Sequence, residues 1–523
     1  MDFPWLSLTV AVPLVGALVV ALSPRTGRLA QQVGLTFSLV TLALAVVVAT
    51  QYQAGDGMQL TETYSWIPAL GVHLAWGVDG LGLLMILLAG VLVPIVLVAA
   101  WNDTEVDLDG VGQGTAAGFT ALVLALEGLA MAVFLATDVF LFYLVFEATL
   151  IPAYFLVGGY GREGRSAAAV KFLVFQLGGG LVMLAGVVGL YVVSAQAGTP
   201  SYLLSDLMGL DMPTEAGRWL FVAFFTAFAV KAPLFPVHTW LADTTGKATP
   251  ATSVLLVSVL DKIGTFGMLR FCLGIFPEAS QWATPVVVAL ALISIVYGAF
   301  LAIGQDDLMR LIGLTSLSHF GFITLGIFVF STAGASGAVL YMVNHGVGTA
   351  ALFLVAGFVA ARRGTTSIRE LGGLEKVTPV MAAMLLIAGL ATLSLPGLSP
   401  FVSEFLVLIA AFQYHWFVGA IAVTAVVLAA IYILWMYQRT MTGPPPTVAE
   451  APDAEAARKD LGVRELVAVV PLVVALVGFG FFPQPLLKAS NDYVGDLLTH
   501  VGVVDDSPTV PVATGTSAEE GEH

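Results

Sequence analysis

The chain has 523 residues, of which 58% are hydrophobic and only 11% charged, with a mean hydropathy of +0.94. That composition excludes a soluble enzyme or a single-anchor protein and points to a polytopic membrane protein. A formal net charge of −15 disfavours nucleic acid and anionic lipid as partners, and a single cysteine, Cys272, excludes a disulfide or a cysteine-ligated iron-sulfur cluster, so any redox chemistry lives in other chains.

Along the chain, about fourteen apolar segments approach or exceed the ~17–25 residues with which a helix spans a bilayer. They begin near Trp5, Gln32, Leu81, Ala117, Val139, Ala168, Trp219, Ala251, Thr284, Leu308, Gly337, Thr378, Trp416 and Arg464. The first is expected to be retained, because Asp2 stands where a basic leader would and Ser23-Pro24-Arg25 does not resemble a cleavage site. Between spans, residues 51–77 alternate polar and aromatic residues and predict an external hairpin, and residues 195–218 predict a second external loop. Residues 442–463, Pro-rich then charged, read as a cytoplasmic connector, and the Ser/Thr/Pro/Glu-rich residues 504–523 read as a disordered acidic tail.

The loops divide by charge. Those after odd-numbered spans carry Arg25, Arg28, Arg162, Arg165, Lys171, Lys247, Arg310, Arg362, Arg363, Arg369, Lys376, Arg439, Arg458, Lys459 and Arg464, whereas those after even-numbered spans and the C-terminal segment carry only Arg218, Arg270 and Lys488. This bias places the odd loops in the cytoplasm and both termini outside, and it supports an even number of spans.

Two long apolar segments, the seventh and twelfth, contain paired prolines, Pro233 with Pro236 and Pro396 with Pro400. Proline removes a backbone donor and clashes one turn back, so each segment is expected to be two half-helices, facing protein or a wet cavity rather than lipid. The breaks lie five spans apart, an odd spacing that inverts the second unit relative to the first, as in transporters built from inverted repeats. The expected organisation is an N-terminal three-helix region (1–115), two inverted five-helix repeats (116–275 and 276–441), the linker 442–463, the last span with its flank (464–503) and the tail 504–523.

Ionisable residues stand near the middle of these apolar spans. Glu147 lies in the fifth, Lys231 in the seventh, Lys262 in the eighth, and Glu404 follows the second break. A lysine in hydrocarbon costs about 2.5–3.5 kcal/mol on insertion scales, so such residues line ion paths or pair with acids. Glu147 and Lys231 make chemical sense together, because joining or separating them changes how strongly Lys231 holds its proton. Lys262 is then placed to receive that proton and Glu404 to release it. His238, two turns beyond Lys231, with His319 and His345, suits a relay titrating near neutral pH. Haem ligation is the rival use of these histidines, but it leaves the lysines unexplained. Glu127 in the fourth span either joins the network or bonds a neighbouring helix. Asp138 and Asp243, near helix ends, read as caps or solvated groups. Asp261 points about 100° away from its neighbour Lys262 on a helix, so it is not expected to be that lysine's direct partner; it could hold a water or a second helix.

The strings FLFYLVFEATLIPAYFLVGGYG, VKAPLFPVHTWLADTTGKATPATSVLL, DKIGTFGMLRF, SHFGF, NHG and LPGLSPFVSEF resemble the proton-translocating, antiporter-like subunits of respiratory NADH:quinone oxidoreductase (complex I), which are related to Mrp-type sodium/proton antiporters. The resemblance runs from about Trp5 to Phe482 and implies an all-α polytopic fold of fourteen spans with two inverted five-helix repeats and broken seventh and twelfth helices. It makes Glu147, Lys231, Lys262 and Glu404 the proton-translocating residues and His319 and His345 relay residues; His238 and Glu127 are further relay candidates from their positions in the spans. Glu404 discriminates within the family, whose L-like and N-like members are expected to carry lysine there and whose M-type members carry glutamate. Asp261 departs from the apolar residue expected before the central lysine. No cofactor or metal is expected in this chain. FMN, iron-sulfur clusters and quinone belong to partner subunits, alongside L-like and N-like neighbours and the lateral helix of the L-like subunit. A cation/proton antiporter subunit without redox coupling is the alternative, and a membrane scaffold a third.

Overall fold

In hydrocarbon the backbone must satisfy its own hydrogen bonds, which drives each long apolar run into a helix. The computed structural model describes residues 3–22, 27–102, 114–198, 200–444 and 459–503. Among these are twelve helices long and apolar enough to cross a membrane: α1 (Trp5–Leu22), α2 (Gly27–Gln51), α3 (Gly80–Ala99), α4 (Ala116–Leu135), α5 (Val139–Tyr160), α6 (Arg165–Gln196), α10 (Pro250–Leu273), α11 (Pro277–Ile303), α12 (Leu308–Phe328), α13 (Thr332–Arg363), α16 (Trp416–Met441) and α17 (Val463–Phe481). A short helix, α7 (Leu204–Met208), lies in the expected loop 195–218, and α18 (Gln484–Val501) follows α17. Two further stretches are split, α8 (Thr214–Lys231) from α9 (Thr239–Lys247) and α14 (Pro379–Thr392) from α15 (Ser399–Tyr414). Pro233 and Pro236 fall in the first gap, Pro396 falls in the second, and Pro400 sits in the first turn of α15, where its missing N–H costs nothing.

The expected hairpin forms between β1 (Gln59–Ile67) and β2 (Val72–Val78), antiparallel, with Gln59 opposite Val78 and Glu62 opposite Trp76. It clamps helix ends: Glu62 accepts from the backbone of Leu6 at 2.8 Å and Ser7 at 3.1 Å, and Asp138 caps α5 through Leu141 N at 2.9 Å while also accepting from His73 N at 2.8 Å. The capping expected of Asp138 is thus present. Asp243 does something else, pairing with Lys171 on α6 and Arg310 on α12, each at 2.6 Å. The reading of Asp243 as a cap or solvated group is corrected, because two cations from separate helices converge on it.

Helices α10, α12 and α13 are buried throughout their spanning windows, whereas α2 and α17 are buried over only 28% of theirs. The fold therefore places the Lys262, His319 and His345 helices at its centre, out of reach of lipid. In residues 464–503 the span α17 is followed by a second helix, α18. Helix α18 is amphipathic, packs on α3 and α13, and is tied down by Gln281 to Val501 O at 2.7 Å and by His500 to Gly274 O at 2.8 Å. Ser23-Pro24-Arg25, most of the connector and the acidic tail lie outside the described residues.

Candidate functional site

The first break leaves helix α8 ending on Lys231. Trp240 of α9 donates its indole N–H to Val230 O at 3.1 Å, and Ser294 of α11 accepts from Phe235 N at 2.9 Å, so the interruption is held from both sides. Ending a helix on Lys231 puts a cation at the negative pole of the helix dipole. The side chain is 1% exposed, donates to Thr149 Oγ1 of α5 at 3.1 Å, and lies 4.6 Å from the centre of the Phe146 ring. Glu147, between those two residues in sequence, lies within electrostatic range of Lys231. Its Oε1 is buried and has no hydrogen-bond partner among the described residues. A methyl group at Gly180 of α6 would collide with this carboxylate, so the absent side chain of Gly180 makes the space that Glu147 occupies.

The second half is built around Lys262, wholly buried on α10. Its ammonium lies 2.5 Å from His345 Nδ1 on α13 and 4.4 Å from the centre of the Phe320 ring on α12. The rings of His345 and His319 are 5.1 Å apart, centre to centre. His319 Nδ1 is 2.7 Å from the Tyr341 hydroxyl, which donates to Glu404 Oε2 at 2.8 Å. Ser394, in the second break, donates to the same oxygen at 2.5 Å. Ser394 has φ +59, a left-handed conformation unusual for a non-glycine residue and costing about 1–3 kcal/mol, which here carries its hydroxyl to the acid. Asn344 of α13 holds the start of α15 by donating to Ser399 O at 2.8 Å.

A small cavity lined by His319, Tyr341, Asn344, His345 and Thr392 has a volume of about 10 Å³, the room one water needs. The Nε2 atoms of both histidines are buried without a hydrogen-bond partner among the described residues.

Of the sequence candidates, Glu147 and Lys231 lie within electrostatic range of each other at the first break, and Lys262, His345, His319 and Glu404 follow one another in a line. His238 is not in that line. It sits at the start of α9, packed 6.0 Å from Phe235 and 5.5 Å from Tyr297, ring centre to ring centre. Glu127 is buried on α4, and neither of its oxygens has a hydrogen-bond partner among the described residues. Sequence reasoning missed Tyr341, Ser394, Thr149 and Gly180, which make the contacts. It also missed a buried bidentate ion pair between Arg270 and Asp79, two turns along α10 from Lys262.

A profile described as NADH:quinone oxidoreductase/Mrp antiporter, transmembrane, matches residues 136–429, which contain this whole line from Glu147 to Glu404. The NADH-quinone oxidoreductase subunit M of Mycobacterium tuberculosis is 46% identical over the full length of both chains. The chain belongs to the subunit M family of NADH-quinone oxidoreductase. A chain of respiratory complex I from Thermus thermophilus superposes with a TM-score of 0.85 at 32% identity, covering 95% of this chain and 100% of that one. A chain of the Mrp complex from Dietzia shares the fold at a TM-score of 0.84 and 24% identity, covering 96% and 100%.

Proposed function

We propose that the chain is the M-type membrane-arm subunit of a proton-pumping NADH:quinone oxidoreductase and moves protons along Glu147, Lys231, Lys262, His345, His319, Tyr341 and Glu404. The observation that carries this reading is the polarity of the second half. Tyr341 gives its only hydroxyl proton to Glu404, so the hydrogen between Tyr341 and His319 belongs to His319 Nδ1. Neutral His319 then presents a bare Nε2 as acceptor. His345 accepts from Lys262 through Nδ1, so its Nε2 carries the hydrogen and serves as donor. Every link points from Lys262 toward Glu404. A proton arriving at His319 Nε2 lets Nδ1 release one to the phenol oxygen while the phenol passes its own to Glu404, and one water in the cavity between the histidines completes the hop.

At the first break, Glu147 and the end of α8 both favour a charged Lys231. Protonating or withdrawing Glu147 removes one of those supports and frees the lysine's proton. Moving one charge against 100 mV requires about 2.3 kcal/mol, and a change of one pKa unit is about 1.36 kcal/mol, so a swing of roughly two units suffices.

Counting α8 with α9 and α14 with α15 as one crossing each gives fourteen spans, and residues 116–275 and 276–441 form the two inverted repeats. Two breaks five spans apart, one holding Lys231 and the other leading to Glu404, support that organisation. The loop charge bias supports a bacterial cytoplasmic membrane with both termini outside. L-like and N-like subunits flank the chain, the lateral helix of the former runs past it, and FMN, iron-sulfur clusters and quinone reside in partners. Purification under mild detergent tests this: a stable complex containing FMN and iron-sulfur centres is expected, and recovery only with small membrane subunits supports a cation/proton antiporter instead.

A further inference from the structure

One buried acid has no part in the line just described. Asp261 is 2% exposed, and its Oδ2 has no hydrogen-bond partner among the described residues. An unpaired carboxylate at that depth costs several kcal/mol unless it is protonated or meets a cation. Its direction is set by its helix. Residues three apart share a face of α10, so Asp261 lies above Gly264. A side chain on Gly264 would strike Ala232 N and Phe228 O, so this face presses on the end of α8 beside Lys231. Lys262 leaves α10 by the adjacent face and reaches His345 on α13. Six residues of π-type winding, Leu255–Leu260, precede Asp261 and set this rotation; such widened turns gather at functional sites. The charges of Lys262 and Lys231 both act on Asp261.

We propose that Asp261 carries the proton between Lys231 and Lys262. The inference rests on the relay reading above and supplies its least connected step. The Nζ–H bond of Lys231 breaks as an O–H bond forms on Asp261; that O–H bond then breaks as Nζ–H forms on Lys262, with no other reactant and no net change in Asp261. Lys231 is left neutral and next draws its proton from the Glu147 side.

The test uses the intact purified complex in proteoliposomes. Asp261→Asn keeps the side chain's shape and removes its titration; Asp261→Glu restores a carboxyl. Asp261→Asn is expected to lower NADH-driven proton uptake at least tenfold, within the ~10²–10⁴ a positioned proton carrier supplies. NADH:ferricyanide reductase activity stays unchanged, and Asp261→Glu recovers most of the uptake. Turnover-induced infrared difference spectra of the wild type with isotopically labelled aspartate should show the carbonyl band of a protonated aspartic acid, a signal that a merely structural Asp261 does not give. Wild-type pumping in Asp261→Asn alongside lost pumping in Lys262→Ala overturns the role of Asp261 alone; wild-type pumping in both overturns the relay beneath it. If Asp261→Asn does not assemble, absence of the labelled carbonyl band in the wild type overturns the proposal.

Discussion

Replacing Tyr341 by Phe removes a single oxygen and separates the histidines from the terminal acid. Among the described residues the hydroxyl is the one atom linking His319 Nδ1, at 2.7 Å, to Glu404 Oε2, at 2.8 Å. The ring remains, and with it the edge contact to His319 at 5.7 Å between centres. The structural cost is therefore the loss of two buried hydrogen bonds, about 1–3 kcal/mol, which an extensively packed α13 tolerates. The functional cost is larger. Two heavy atoms formerly bridged by one oxygen fall outside hydrogen-bond reach, and removing a positioned proton-transfer group slows transfer by about 10²-fold or more. In inverted membrane vesicles energised with NADH and monitored by quenching of a pH-sensitive acridine dye, Tyr341→Phe is expected to retain NADH:ferricyanide reductase activity while its proton uptake falls at least tenfold. Uptake equal to wild type refutes the assignment of Tyr341 to the path.

Gly180→Ala places a methyl group where the Glu147 carboxylate sits and is expected to reduce pumping as far as Glu147→Gln does, while Gly178→Ala, which meets nothing within 4 Å, leaves pumping and complex yield unchanged. Asp79→Asn strands the buried Arg270 guanidinium and is expected to destabilise the subunit by about 3–5 kcal/mol, seen as lost complex on native gels. The double change Asp79→Leu with Arg270→Met, which leaves no unpaired charge, recovers assembly; failure of the double change to do better than the single one contradicts the ion-pair account.

The spans were legible because lipid admits few backbone solutions, and the breaks because proline announces them. Lys231, Lys262 and Glu404 stood out as charges where charge is costly. The connecting groups were not legible for the opposite reason. Tyr341 and Thr149 are ordinary residues of apolar helices, and only packing shows that one meets an acid and the other a lysine. Gly180 lies in a run of three glycines that reads as a helix-packing surface, and its role is to give volume to a residue of another helix. Arg270 and Asp79 are 191 positions apart, so nothing local pairs them. The face that Asp261 shares with Gly264 depends on the π-type turn before it and on the end of α8, neither of which a 100° periodicity contains. Asp243 was misread for a similar reason: its partners come from α6 and α12 rather than from its own helix end.

The most direct test of the central claim is the number of protons taken up per NADH oxidised by the reconstituted complex carrying Lys262→Ala, the residue at which the two halves meet. The account predicts an intact complex, with normal NADH:ferricyanide activity, whose proton uptake through coupled quinone reduction is largely abolished. An unchanged ratio of protons to NADH at an unchanged rate of quinone reduction contradicts it.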